Sequence, residues 1–356
     1  MNAICLCMLV TAMTASLRAG EISAVAHPAE KIEVENTVIW TLLFQAAWDE
    51  THRGMGMPQK IEPPSELMTR LDAFQWNADA VMPKSDWKAW GGPATRELLD
   101  RANAEAKQMT GDPVRAFDVE LRFRARIGLA LLNRNLEYPK ALHRSLQVPM
   151  EFVGSDKKST KVHFFGTRGE LSDGYDETIE VLSYGEKSHA LQLFSKEDDA
   201  VVLYLPEEAV TFEKACEQLR QWRAKKLPGK YGTLEHARLH KDDDLRIPYV
   251  KFHNKTNFAP LLKSGRFYGG PDDPWTIYHA EQRTDFELTE KGAKARVYAE
   301  TGLEPFGDLP PLPRTVPRKF YYDKPFFLFL WRDKAEWPYF GAWIGNASAM
   351  DAFKKP

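Results

Sequence analysis

From Ala293 onward the side chains alternate with period two. Ala293, Ala295, Val297 and Ala299 are small and apolar, while Lys294, Arg296, Tyr298 and Glu300 between them are polar or amphipathic. That alternation fits a strand with one face buried. The run leads into Gly302-Leu-Glu-Pro-Phe-Gly-Asp-Leu-Pro-Pro-Leu-Pro313, whose prolines donate no ladder hydrogen bonds and whose glycines loosen the chain. A segment with the pattern of a strand is thus joined to an extended, exposed loop, and it needs a sheet to receive it.

The chain has 356 residues and is 43% hydrophobic, enough for one large core. Forty-eight basic residues stand against fifty acidic ones, a formal charge of −2, so no global field draws nucleic acid or an anionic membrane. Neither is expected as a partner. Residues 1–20 hold a short apolar run followed by small residues, the size of a secretory signal rather than a membrane span, with cleavage expected between Ala15 and Ala26. Secreted or periplasmic localisation follows. Removal of the signal takes Cys5 and Cys7 with it, and Cys216 alone cannot form an internal disulfide.

One domain over residues 30–350 is expected, helix-rich over 30–115 and sheet-rich over 116–350. Asn36–Thr51 carries Val38, Leu42, Ala46 and Asp49 at helical spacing, and Arg96–Gly111 reads as a helix ended by glycine. Proline-rich connections, Pro58 to Pro64 and Gly91-Gly-Pro93, separate them. Five of the ten tryptophans (Trp40, Trp48, Trp76, Trp87, Trp90) fall in this part. Packed core rings explain them most simply, a carbohydrate or aromatic-ligand site being the functional alternative. Strands are predicted over Phe123–Leu136, Glu177–Ser183, Ala190–Phe194, Ala200–Leu205, Leu245–Phe252, Phe286–Thr289 and Phe320–Trp331, and a helix over Thr211–Lys226.

Catalytic constellations are missing: there is no Gly-x-Ser-x-Gly elbow, phosphate-binding glycine loop, Cys-x-x-Cys or His-Glu-x-x-His. His236 and His240 fall one turn apart if helical and precede Asp242-Asp-Asp244, but this charged stretch reads as solvated surface without a third fixed metal ligand. Cys216 reads as a buried small hydrophobe beside Ala215 and Leu219. No enzyme activity, metal or cofactor is expected; an exported hydrolase would need a pocket of convergent titratable residues.

Glu290-Lys-Gly-Ala-Lys-Ala resembles the loop hinge of the serpins, and Phe320-Tyr-Tyr-Asp-Lys-Pro-Phe326 resembles the start of a strand in that family. Leu131-Leu-Asn133, Ala200-Val-Val-Leu-Tyr-Leu-Pro206, Ile247-Pro-Tyr-Val-Lys-Phe252, Tyr339-Phe-Gly341 and Asn346 are similar to further family motifs, and all occur in the family's order. Leu99–Gly111 is similar to a serpin helix. The resemblance implies an α+β fold of mixed, mainly antiparallel sheets, a helical N-terminal part and an exposed reactive-centre loop, here 290–319.

In function the resemblance implies a suicide substrate for a serine peptidase, or a cysteine peptidase, acting as a monomer. The loop is cleaved, and the hinge, Glu290, Lys291, Gly292, Ala293, Ala295, Val297 and Ala299, inserts into the main sheet. The family's count from the hinge glutamate puts the scissile bond at Phe306-Gly307, with Arg314-Thr315 as the alternative. The position of a latching histidine falls on Gln282, and its partner is Asn133. The alternative is a serpin-shaped binding or structural protein that does not inhibit. Two departures mark the chain: bulky outward hinge residues, Lys294, Arg296, Tyr298 and Glu300, and a shortened N-terminal part.

Overall fold

The computed structural model describes residues 21–53, 60–112, 116–122, 125–145, 147–168, 175, 178–185, 187–224, 238–262, 266–268, 274–295 and 317–354. Its largest sheet has seven strands in the order β1 (Ile22–Val25), β2 (Thr37–Thr41), β22 (Phe340–Ile344), β21 (Phe326–Arg332), β13 (Asp199–Leu205), β12 (His189–Phe194) and β11 (Ile179–Tyr184). Within this sheet only β1 and β2 run parallel. Phe326-Phe-Leu-Phe-Leu-Trp331 is fully buried, so this strand reads as a continuous apolar run rather than an alternation. Helix α5 (Phe212–Ala224) packs on the sheet through Phe212, whose ring meets those of Trp40, Phe327 and Phe329. Cys216, on the same helix, is completely buried, and burial raises its thiol pKa.

A second sheet has the order β15 (Val250–Asn257), β18 (Glu281–Thr289), β19 (Gly292–Ala295) and β6 (Arg134–Glu137). Beside it lies the ribbon of β4 (Trp87–Pro93) and β5 (Arg126–Leu132). The remaining strands form three small sheets: β20 (Lys319–Tyr321), β14 (Asp244–Pro248), β10 (Phe164–Arg168) and β7 (His143–Arg144); β17 (Pro274–Thr276), β16 (Arg266–Tyr268) and β3 (Lys60–Glu62); and β8 (Met150–Val153) with β9 (Ser159–Val162). The other helices are α1 (Leu42–Arg53), α2 (Glu66–Ala73), α3 (Ala78–Val81), α4 (Arg96–Thr110) and α6 (Ala259–Leu262).

Two expectations are corrected. The helix expected over Asn36–Thr51 begins only at Leu42, because Thr37-Val-Ile-Trp-Thr41 is a wholly buried run of β-branched and aromatic residues that pairs with β1 on one side and β22 on the other. Gly91-Gly-Pro93 is not a connection but the end of β4. There α1 approaches so closely that a Cβ on Gly91 would lie 2.3 Å from the Glu50 carbonyl, and one on the cross-strand partner Gly128 would lie 2.0 Å from that of Ala47. The glycines let a helix lie directly on the ribbon.

Other expected runs split. Leu245–Phe252 divides at Tyr249 into β14 and β15 of different sheets, and Phe320–Trp331 divides into β20 and β21. Helix α4 matches its expectation and ends at Gly111, which takes a left-handed φ of 68° as its C-cap.

Candidate functional site

Strand β18 turns through Glu290 and Lys291 into β19, and Gly292 sits directly opposite Thr289. Gly292 has a φ of +150°, and a Cβ there would lie 1.9 Å from the Leu136 carbonyl oxygen, so the turn demands glycine. The hairpin is anchored at three points. The amides of Leu142 and Tyr138 donate to the Glu290 and Lys291 carbonyls at 2.8 and 2.9 Å, and the Tyr249 hydroxyl donates to Glu290 Oε2 at 2.8 Å. Burial, reinforced by the Glu290 carboxylate, raises the Tyr249 pKa and keeps that phenol protonated as a donor.

Past the turn, β19 runs between β18 and β6, with Ala293 opposite Leu288 and Leu136 and completely buried. Gly292 and the first three residues of the expected strand, Ala293, Lys294 and Ala295, thus already form an interior strand of a sheet. Val297, Ala299, Phe306, Gly307, Arg314 and Thr315 lie outside the described residues.

Among the described strands, β5 and β18 are not paired with each other. Strands β5 and β6 are consecutive in the chain, but among the described residues β5 pairs only with β4, and a cavity of about 380 Å³ lies between it and the start of β18. Residues 126–131 of β5 and 277–283 leading into β18 form its walls; Phe44, Ala47, Trp48 and Thr51 of α1 form its floor. In front, the stretch after α4 crosses it: Tyr278 donates to the Glu120 carbonyl at 3.0 Å and carries the Arg122 guanidinium 4.7 Å above its ring. Glu281 stands at the edge of the gap. Burial opposes ionisation there, but hydrogen bonds from Arg283 and Lys255 win and hold the carboxyl below its usual range.

The expected latch takes another form. Asn133 donates to the Met109 carbonyl at 2.7 Å, while Gln282 accepts from Thr41 at 3.2 Å and reaches Thr284 at 3.5 Å. Neither bonds to the other, because each has an anchor on its own side of the gap. What lies beside Asn133 is Arg134, an ion-pair hub that sequence reading did not single out; a lone arginine at a strand start carries no signal. Both Asn-x-Ser/Thr sequons are also committed: Asn254 donates to the Ile22 carbonyl at 2.9 Å and Asn346 to that of Glu35 at 2.6 Å, each less than one-tenth exposed. Among the described residues no group of three metal-ligating side chains converges, and no helix is long and apolar enough to cross a membrane.

No family model and no curated protein matches the chain. Solved structures do. Thyroxine-binding globulin in complex with thyroxine aligns at a TM-score of 0.50 and 12% identity, over 87% of this chain and 92% of that one. The Manduca sexta serine protease inhibitor serpin-12 aligns at 0.45 and 13% identity, over 73% and 68%, and the thermophilic serpin tengpin in its native state at 0.43 and 13%, over 71% and 64%. The chain has the serpin fold, an α+β architecture of mixed, mainly antiparallel sheets. At these identities the likeness reaches the fold and no further.

Proposed function

We propose that the chain inhibits a serine peptidase by inserting its hinge into the parted sheet after cleavage of the loop. The observation that carries this reading is continuity: β19 already lies between β18 and β6, and the cavity lies on its line of extension. Continuing the register sets Val297 between Leu132 and Thr284 and Ala299 between Ala130 and Gln282, all on the buried face shared by Ala293 and Leu288. Small side chains there avoid the cost of overpacking. On the outer face Lys294 stands opposite Glu287, and the same register brings Arg296 to Asp285 and Tyr298 to Arg283. The same register sets Glu300 opposite Glu281, so three of the four outward residues meet opposite charge or a stacking partner and the fourth meets a like charge.

Insertion adds a ladder of hydrogen bonds and fills the cavity, a source of work that a fold with an unfilled slot can hold in reserve. The cut falls at Phe306-Gly307, sixteen residues past Glu290, which suits a peptidase with an apolar pocket; Arg314-Thr315 is the alternative. An exported protein meets such an enzyme, and a leader cut before Glu21 leaves intact the bond from the Thr37 amide to the Glu21 carbonyl and the pairing of β1.

The test is thermal unfolding before and after limited nicking by chymotrypsin or subtilisin, with the same mixture run on a denaturing gel. The expected result is a large rise in melting temperature with a covalent complex that survives denaturant. Nicking without either change would replace inhibition by a serpin-shaped binding or structural role.

A further inference from the structure

Arg134 is the first residue of β6, directly opposite Ala295 of the hinge strand, and its side chain is only 11% exposed. It donates to Asp86 Oδ2 at 2.5 Å, to Asp199 Oδ2 at 2.8 Å and to the Glu197 carbonyl at 3.1 Å. These partners belong to two bodies. Asp199 opens β13 of the seven-stranded sheet, is itself fully buried and accepts a second bond from Tyr339 at 3.0 Å. The Glu197 carboxylate accepts from the Glu137 amide, and Lys196 pairs with the Glu137 side chain, so β6 is held to that sheet at both ends. Asp86 immediately precedes β4, and its carbonyl accepts from the Asn133 amide at 2.7 Å.

The β4–β5 ribbon is one wall of the cavity; β6 is fixed to the seven-stranded sheet. A swing of the ribbon away from β18 about Asn133, the single residue that joins β5 to β6, would widen the cavity. Such a motion would lengthen the Arg134–Asp86 contact while Arg134–Asp199 stayed fixed. We propose that Arg134, held by Asp199 and gripping Asp86, is the positioning residue that sets how readily the slot opens to receive a strand. It does the work that Asn133 and Gln282 do not do together. The guanidinium fork makes this feasible, since one ammonium cannot reach Asp86, Asp199 and the Glu197 carbonyl at once.

This rests on the slot being a strand-receiving site, so the test measures strand uptake directly. A fluorescein-labelled synthetic peptide with the sequence of residues 296–303, which follow β19 in the projected register, is mixed with the intact full-length protein, and its incorporation is followed by polarisation. Asp86→Asn, which removes the ribbon arm and leaves the buried Arg134–Asp199 pair, is expected to speed uptake by about tenfold, as loss of one charge-assisted bond allows. Arg134→Lys should act in the same direction. Melting curves of the intact variants provide the control, because a merely structural role lowers the melting temperature without changing the uptake rate. Asp86→Asn at the wild-type rate, with wild-type protein taking up peptide, overturns the role of Arg134 alone. Wild-type protein that takes up no peptide removes the slot reading, and this proposal with it.

Discussion

The seven-stranded sheet and the parted sheet are built from similar residues and end in opposite states. In the first, every interior strand is paired on both sides, and β21 buries every side chain from Phe326 to Trp331. At the second, the adjoining strand β5 lines a cavity along residues 126–131, and β18 faces the same cavity at Glu281, Gln282 and Arg283. A filled sheet holds its strands by packing and ladder bonds together. A parted one is held by a few side chains at its ends, here Arg134 and the Tyr278 strap. The filled sheet is therefore the more tightly held of the two, and the proposed insertion would draw on the other.

The comparison can be broken most strongly in the filled sheet. Phe329→Ala, at a fully buried position, should cost about 3–5 kcal/mol and lower the melting temperature equally in intact and nicked protein. A loss confined to the nicked form would place the stability elsewhere. Gly292→Ala attacks the junction: its Cβ meets the Leu136 carbonyl at a φ disfavoured for alanine, so it should cost about 1–3 kcal/mol and abolish the rise in melting temperature on nicking. An undiminished rise would show that the hinge enters by another turn.

Protonation provides a subtler break in the filled sheet. Burial, with a smaller push from Lys324, lowers the His189 imidazole from 6.5 to about 4. The unfolded chain takes up the proton first, so stability declines as pH falls from 6.5 towards 4, by on the order of 1 kcal/mol at pH 5.5. His27 shifts alike, to about 4, from burial and then Arg70. His189→Phe should thus flatten the fall of melting temperature with pH without removing it, and an unchanged slope would exclude the His189 contribution. In the parted sheet, Ala130→Leu puts side-chain volume into the cavity wall and should stabilise the intact protein by under about 1 kcal/mol while shrinking the gain on nicking. A larger gain on nicking would refute the projected register. Smallest of all, expression in a glycosylating host should leave the mass of the folded protein unchanged at Asn254 and Asn346; a glycan at either would mean that its amide is released.

Much of the fold was legible. Helix α4 has its apolar stripe and its terminal glycine, and the strands from Ile179 to Leu205 are short apolar runs bounded by turns. The N-terminal strands were hidden because Thr37–Thr41 and Leu42–Arg53 form one apolar stretch whose period changes without a turn residue. Gly91 and Gly92 looked like a loop because the neighbour that requires glycine, α1, is distant in sequence. At the site, the alternation at Ala293 and Ala295 and the turn glycine were readable locally. The latch was not, since Arg134, Asp86 and Asp199 are separated by tens of residues and paired only by topology.

The amino-acid sequence by itself determined the small-residue alternation of the hinge, the glycine at its turn and the proline-rich stretch behind it, because these depend on backbone geometry over a few residues. The tertiary structure alone decided that a gap lies in line with the hinge, that Asn133 and Gln282 each bond elsewhere, and that Arg134 joins the ribbon to the filled sheet. A gap between strands is a property of long-range pairing, and buried charges choose whichever partners folding brings within hydrogen-bond reach.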